Sequence, residues 1–337
     1  MRIGIVGSGS MGCVFGGKMK RAGHDVVLYD QDARTVAAIE RKGLSVTDPS
    51  GCFTTAIAAT TDPSELSNLE LCVVLVDNNA TAQVAPLLLP MMATNGVALT
   101  LQNGIGNVEA LTAILGFARV LGGSTYVSAA MIAPGHAHNT NIGETVIGEL
   151  DGTLTKRALH CANVFSGIGL PTEASGNIMG HIWSKFALNC AINPLCALTG
   201  LRPAEIVRNP ALSHLLDTVI AEIMAVVQAM GVSLPHADPA RHIRDHAFMR
   251  YNRPSMLQHL EAGRRTEIAG LNAALVPQAL ALGVATPANA TITALVQGIE
   301  ARLARGALVD EAALEAAASL AMPVSAMSQP PLTEVKA

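Results

Sequence analysis

Arg2-Ile3-Gly4-Ile5-Val6-Gly7-Ser8-Gly9-Ser10-Met11-Gly12 opens the chain and decides how its first half is read. A short β-branched run ends in G-x-G-x-x-G, and a helical pattern from Met11 to Ala22 follows at once. In that setting Gly7 permits a tight turn, Gly9 lets the backbone approach a pyrophosphate, and Gly12 allows close helix-to-strand packing. Ser8, Ser10 and Met11 fill the remaining positions, and the free amides and dipole of the helix N-terminus hold the anion. The alternative is a merely glycine-rich turn, but the placement after a strand and before a helix favours the cradle. The second strand pattern, Val26 to Tyr29, ends at Asp30-Gln31, with Asp30 lying 18 residues beyond Gly12. An acidic residue ~20 residues on is the one that bonds the ribose hydroxyls of a dinucleotide. Such a carboxylate repels a 2'-phosphate, so Asp30 favours NAD(H) over NADP(H); a solvated Asp starting a turn is the competing reading.

Outward from this loop, Leu71 to Val76 and Val97 to Leu101 are further strand candidates, and Ala33 to Lys42 reads as a helix. From Arg119 to Leu150 the pattern becomes strand-like and rich in Gly and Thr, as expected where a sheet finishes with edge strands. The alternation predicts an α/β fold, with a Rossmann-type doubly wound, mostly parallel sheet over residues 1–176. Character changes between Ser175 and Asn177. Helical periodicity then covers Ile178 to Leu198, Ala211 to Met230, Pro239 to Tyr251, Met256 to Ala262, Thr266 to Leu282 and Ala288 to Arg305. A C-terminal all-helical domain over residues 177–325 is expected, for binding substrate and for dimerisation, with a frayed tail at 326–337.

Composition agrees. A chain of 337 residues, 50% hydrophobic and 14% charged, holds enough apolar material for two cores. A net charge of -4 gives no support to a nucleic-acid partner or an anionic membrane, and the uninterrupted apolar runs fall short of a membrane span. The six cysteines, Cys13, Cys52, Cys72, Cys161, Cys190 and Cys196, contain no C-x-x-C pair and mostly lie in apolar runs. They read as buried thiols of a reducing compartment, and with no leader pattern at the N-terminus the expectation is a cytoplasmic protein.

The chemistry concentrates in Gly180-His181-Ile182-Trp183-Ser184-Lys185-Phe186-Ala187-Leu188-Asn189-Cys190-Ala191-Ile192-Asn193-Pro194. Lys185, Asn189 and Asn193 recur at i, i+4 and i+8, so on a helix they drift by only ~40° per step and form one polar stripe among apolar neighbours. Such a stripe is satisfied either by a bound polar ligand or by a hydrogen-bond network between helices. A metal reading of His236, His242 and His246 is disfavoured by the positive charge of Arg241 and Arg244, and no metal is expected.

The sequence resembles the ketopantoate reductase family (2-dehydropantoate 2-reductases) from Met1 to about Arg305. The likeness rests on separated motifs in one order. They are the Gly7–Gly12 loop; Gln102-Asn103-Gly104-Ile105-Gly106-Asn107; Trp183-Ser184-Lys185 through Asn193-Pro194; Pro254-Ser255-Met256-Leu257-Gln258; Arg265-Thr266-Glu267-Ile268; and Gly283-Val284-Ala285-Thr286-Pro287. Carried over position by position, the resemblance implies Lys185 as general acid and Glu267 as its acidic partner. It implies Asn103 near both nicotinamide and substrate, and Asn189, Asn193 and Ser255 as substrate-binding residues. The implied reaction is hydride transfer from NAD(P)H to the carbonyl of a small 2-oxo acid, ketopantoate giving (R)-pantoate. A lysine ammonium suits it, since negative charge builds on the carbonyl oxygen.

Two positions depart from the family pattern. Members using NADPH commonly carry a basic residue after the second strand and a Lys after the fourth; here stand Gln31 and Asp77. With Asp30 they favour NADH. They also admit an NAD-dependent D-2-hydroxyacid dehydrogenase of the same family, acting on another branched or aromatic 2-oxo acid. The 3-hydroxyisobutyrate and 6-phosphogluconate dehydrogenase group places its Asn three positions after the Lys, whereas Asn189 follows Lys185 by four. A non-catalytic dinucleotide sensor would have no reason to keep Lys185, Glu267 and the asparagines together. The apolar helical domain is compatible with a homodimer.

Overall fold

The computed structural model describes residues 1–306. The expected tail and the last part of the helical domain, 307–337, lie outside the described residues. The first part of the chain runs β1 (Arg2–Val6), α1 (Ser10–Arg21), β2 (Asp25–Tyr29), α2 (Ala33–Lys42), β3 (Leu44–Asp48), β4 (Gly51–Thr55), β5 (Ala58–Thr60) and β6 (Leu69–Val74). It continues through α3 (Thr81–Met91), β7 (Met92–Thr100), α4 (Asn107–Leu115), β8 (Val120–Thr125), β9 (Ser128–Ala133), β10 (His136–Asn141), β11 (Thr145–Glu149), α5 (Lys156–Gly167) and β12 (Thr172–Ala174). The rest is helical: α6 (Ile178–Thr199), α7 (Pro203–Arg208), α8 (Pro210–Ala229), α9 (Pro239–Phe248), α10 (Ser255–Glu261), α11 (Asn272–Ala281) and α12 (Pro287–Gly306).

The main sheet has the order β12-β11-β8-β7-β6-β1-β2-β5. It is parallel from β8 across to β5, and only the β8–β11 joint is antiparallel. The chain leaves β1 for β2 on one side and returns to β6 on the other. That reversal opens a crevice beyond the carboxyl ends of β1 and β6, the place where doubly wound sheets take ligands. On one face Phe15 of α1 meets Phe165 of α5, with ring centroids 5.4 Å apart, in a cluster that includes Ile3, Ile5 and Leu28. On the other face Leu88 of α3 and Leu111 of α4 cover Val6, Cys72 and Val74.

The structure corrects the expectation that Arg119 to Leu150 simply finishes the sheet. β9 and β10 leave it and join β3 and β4 in a second sheet of order β4-β3-β10-β9. This small sheet packs against the side of α1 turned away from the main sheet. Gly16 and Gly17 make the sandwich possible. A Cβ on Gly16 would stand 2.7 Å from Leu28 in the main sheet, and one on Gly17 would stand 2.6 Å from Val46 in the small sheet. Lys18, also on α1, donates to the Asp48 carboxylate at 2.5 Å, with both side chains buried.

The helical part begins at Ile178, with Asn177 accepting from the Gly180 amide as N-cap. Helix α6 runs through its centre, touching α7, α8, α9, α10 and α12 as well as β8. Helix α8 is apolar enough in composition to cross a membrane, with a mean hydropathy of 1.5. It buries Leu216, Val219, Ile220, Ile223, Val226 and Val227 in the helical core, and its Glu222 accepts the Ala288 and Asn289 amides at the start of α12. One expected helix is not continuous: Thr266 to Leu282 splits into a 3-10 turn at Ile268–Gly270 and α11, parted at Leu271 (φ -111°, ψ -116°).

Candidate active site

The glycine loop has the shape its pattern demands. Gly7 sits at φ +99°, and a Cβ there would fall 2.8 Å from the Val76 amide nitrogen. A Cβ on Gly12 would fall 1.9 Å from the Gly7 carbonyl oxygen, so helix and loop are in direct contact. Gly9 has nothing within 4 Å of its virtual Cβ, leaving that flank open for a ligand's phosphates. The Gly7 amide is taken by the Tyr29 carbonyl, and the amides of Gly9, Ser10, Met11 and Gly12 have no acceptor among the described residues. An open loop flank with unpaired amides at a helix N-terminus fits a dinucleotide pyrophosphate.

The Ser8 amide is already engaged, unlike those that follow it in the loop. It donates to Asp30 Oδ2 at 2.5 Å, while Asp30 Oδ1 accepts from the Asp32 amide at 2.9 Å. Asp30 therefore braces the glycine loop as well as standing at the end of β2. Each carboxylate oxygen accepts more than one bond, so capacity for ribose hydroxyls remains. Gln31 and Asp77 are exposed. Arg34, at the start of α2, is exposed, and its guanidinium donates to Asp32 at 3.1 Å.

Across the crevice, the Gln102–Asn107 segment after β7 is fixed from several directions. Gln102 Nε2 donates to the Val76 carbonyl at 2.8 Å and to Thr81 Oγ1 at 2.7 Å, and Thr81 in turn donates to Asn107 Oδ1 at 2.7 Å. Asn78 Nδ2 donates to the Ile105 carbonyl at 3.0 Å. Asn103 is thereby aimed at the helical domain, where its Nδ2 donates to Glu267 Oε2 at 3.1 Å. Alongside, the Ile105 amide donates to the Gly270 carbonyl at 3.2 Å. The broken helix explains this reach. With Leu271 out of helical conformation, Glu267 precedes a short turn and faces Asn103 instead of lying on the side of a long helix.

Helix α6 brings Lys185 to the same place. Lys185 and Asn189 line a cleft with Gln102, Asn103, Gly104, Gly123, Ser124, Ile182 and Phe186. The Lys185 amine lies 5.9 Å from the ring centroid of Tyr126. Burial lowers its pKa to about 8, against the pull of Glu267, which favours the cation. The Glu267 pKa is raised, first by burial and also by Asp77, while the Asn103 hydrogen bond and Lys185 act in the opposite direction. Lys185 and Glu267 form no ion pair within 4.0 Å among the described residues. Glu267 accepts from Asn103 and acts on Lys185 through its charge. Asn193 is buried one turn further along α6, and Ser255 is exposed at the start of α10, which packs on α6. Both lie outside the cleft that holds Lys185 and Asn189.

Sequence reasoning missed Asn78, Thr81 and Ser124. None belongs to a motif, and their roles arise from contacts between segments distant in sequence. His236 and His242 stack ring on ring at 3.5 Å with His246 a further 6.3 Å away, a packing arrangement rather than a convergence on one point. All six cysteines are unpaired, five of them buried; Cys52 is exposed, against the expectation of burial.

A glycine cradle at the switch point of a doubly wound sheet, facing a helical domain that carries a buried amine, defines a two-domain NAD(P)-dependent oxidoreductase. Comparison with known proteins narrows this class. Residues 3–152 match the family model "Ketopantoate reductase PanE/ApbA", and residues 177–300 match "Ketopantoate reductase PanE/ApbA C terminal". The chain is 33% identical to the 2-dehydropantoate 2-reductase of Archaeoglobus fulgidus, over 90% of this chain and 99% of that protein. It is 31% identical to the enzyme of the same name from Halobacterium salinarum, over 88% and 98%. Among solved structures, a PanE/ApbA family ketopantoate reductase from Ralstonia eutropha superposes with a TM-score of 0.84 at 35% identity, covering 90% of this chain and 99% of that one. A D-mandelate dehydrogenase solved with NADH and anilino(oxo)acetate shares the fold, with a TM-score of 0.84 at 24% identity, covering 90% of this chain and 99% of that one. The chain belongs to the ketopantoate reductase family.

Proposed function

We propose that this protein reduces the carbonyl of a small 2-oxo acid, 2-dehydropantoate foremost, using NADH, with Lys185 as general acid. The observation that carries the reading is the Lys185 amine in one cleft with Asn103 and Asn189, its pKa lowered to about 8. When bound, the dihydronicotinamide supplies the hydride for the carbonyl carbon. Lys185 then has two tasks at the carbonyl oxygen: its charge stabilises the growing oxyanion, and its N–H delivers the proton. A free lysine, with a pKa of ~10.4, holds its proton more tightly than this buried one. Asn189 offers an uncharged amide to the substrate's oxygens. Glu267 fixes Asn103 and adds the negative charge that keeps Lys185 protonated.

Asp30, Gln31 and Asp77 support NADH as the preferred cofactor, since none offers a cation to a 2'-phosphate and the Asp30 carboxylate repels one. With its cysteines unpaired, the protein suits a reducing compartment, and we assign it to the cytoplasm.

Oxidation of NADH and of NADPH, each with 2-dehydropantoate and a panel of branched and aromatic 2-oxo acids, tests the reading. Turnover with a 2-oxo acid and a higher kcat/KM for NADH are expected. A strong NADPH preference would refute the charge argument, and cofactor binding without turnover would favour a sensor. Lys185→Ala is expected to lower turnover by about 10²- to 10⁴-fold while NADH still binds. Near-normal turnover in that variant ends the assignment of Lys185.

A further inference from the structure

The cleft contains a polar group that neither the motifs nor the reaction as described above employs. Ser124 is the next-to-last residue of β8 and is 5% exposed. Its Oγ is buried and finds no hydrogen-bond partner among the described residues. Buried hydroxyls are nearly always paired, because an unpaired one loses its bonds to water and gains nothing in return.

The direction of the side chain follows from the strand. Successive residues point to opposite faces. Thr125 uses its hydroxyl on Thr145 Oγ1 at 2.7 Å. Gly122, two residues before Ser124 and so on its face, lies against α6: a Cβ there would stand 3.1 Å from Ile182 and 3.3 Å from Ile178. The next turn of α6 after Ile182 presents Lys185 and Phe186, and the turn after that Asn189. Ser124 lines the cleft with these three residues and with Asn103. The absence of a side chain at Gly122 lets α6 approach β8, and that approach sets the amine, the amide and the hydroxyl around one space.

We propose that Ser124 is a substrate-binding residue, its hydroxyl donating a hydrogen bond to an oxygen of the 2-oxo-acid head group beside Lys185. The assignment rests on the reductase reading above. The head group presents a carbonyl and a carboxylate side by side, with more lone pairs than one ammonium satisfies. A hydroxyl adds a donor without adding charge, so it leaves the electrostatic balance of Lys185 and Glu267 intact. Binding of the acid then completes the bonding of a group that is unpaired without it.

Steady-state kinetics of Ser124→Ala and Ser124→Cys test this, using the 2-oxo acid that the wild type turns over best. Both variants are expected to lose about ten- to a hundredfold in kcat/KM, the range for a hydrogen bond to a charged or strongly polar acceptor. NADH affinity, read by fluorescence, should be unchanged. The melting temperature of Ser124→Ala should be no lower than that of the wild type, because the substitution removes an unpaired buried hydroxyl. Wild-type kcat/KM in Ser124→Cys, which keeps the shape but is a weak donor, overturns the proposal. So does a lowered melting temperature with kcat/KM intact, which would mark a structural serine. A shift in the pH at which kcat/KM falls also overturns it, because the hydroxyl would then be acting on Lys185 and not on substrate. A wild type inactive on every 2-oxo acid overturns the reductase reading together with this one, whereas an active wild type matched by Ser124→Ala overturns only the role of Ser124.

Discussion

At Lys185, burial and a neighbouring charge oppose each other, and burial prevails: the amine's pKa falls to about 8 even with Glu267 near. The sign of the resulting pH dependence follows directly. Reduction needs the protonated amine, so kcat/KM for a 2-oxo acid is expected to hold below about pH 8 and to fall about tenfold per unit above it. Oxidation of the 2-hydroxy acid needs the neutral amine and is expected to rise through the same range. Glu267→Gln removes the anion that supports the cation while keeping an oxygen to accept from Asn103. Its reduction profile should therefore fall at lower pH than the wild type's. Profiles of kcat/KM in both directions for both proteins measure this, and an unmoved profile in Glu267→Gln would show that the two groups do not communicate.

At the scale of elements, α6 carries a proline in its interior and is still continuous from Ile178 to Thr199. Pro194 has no N–H, which deprives the Cys190 carbonyl of its usual helical partner. Asn272, on α11, replaces it: Nδ2 donates to the Cys190 carbonyl at 3.0 Å and to Asn289 Oδ1 at 2.9 Å. Asn289 Nδ2 continues to Glu222 at 2.7 Å, so one buried polar chain joins α6, α11, α12 and α8. Asn272→Leu is expected to cost about 1–3 kcal/mol by leaving that carbonyl unsatisfied, read as a lower midpoint in urea unfolding. The same elements show what was legible from sequence. The β1–α1 loop and the shared face of Lys185 and Asn189 were, because a glycine fingerprint and a helical period are local signals, although the same period also pointed to Asn193, which lies outside the cleft. The small sheet was not, since β3 finds β10 across some ninety residues of chain and only the pairing itself identifies it. The break at Leu271 was invisible too: Ile268, Leu271 and Leu275 keep a helical spacing of apolar residues across a turn that is not a helix. Ser124, a single serine on a strand, carries no period at all.

At the scale of the whole molecule, the two halves meet where the chemistry is proposed to happen. The Asn103–Glu267 hydrogen bond and the Ile105–Gly270 backbone bond lie side by side and tie the loop after β7 to the turn before α11. Gly104 stands between them at φ +83°, a left-handed conformation that side chains disfavour, and its virtual Cβ lies 2.4 Å from the Gly270 carbonyl oxygen. Gly270 is equally confined, with a virtual Cβ 2.4 Å from Asn78. Neither obstacle is the far end of a flexible side chain: one is backbone, and the other is an amide already bonded to the Ile105 carbonyl. Gly104→Ala must therefore push loop and turn apart, and Asn103 and Glu267 are carried with them. A misplacement of about 1 Å at a catalytic site costs on the order of 10²-fold in rate. The expected result is a loss of that order in kcat/KM for the 2-oxo acid, in a protein that still binds NADH through the untouched Gly7–Gly12 loop. Left-handed strain adds a stability loss of about 1–2 kcal/mol, seen as a lower melting temperature. Wild-type kinetics in a folded Gly104→Ala protein would mean that the junction tolerates separation and that the closeness of the two halves is not what positions Asn103.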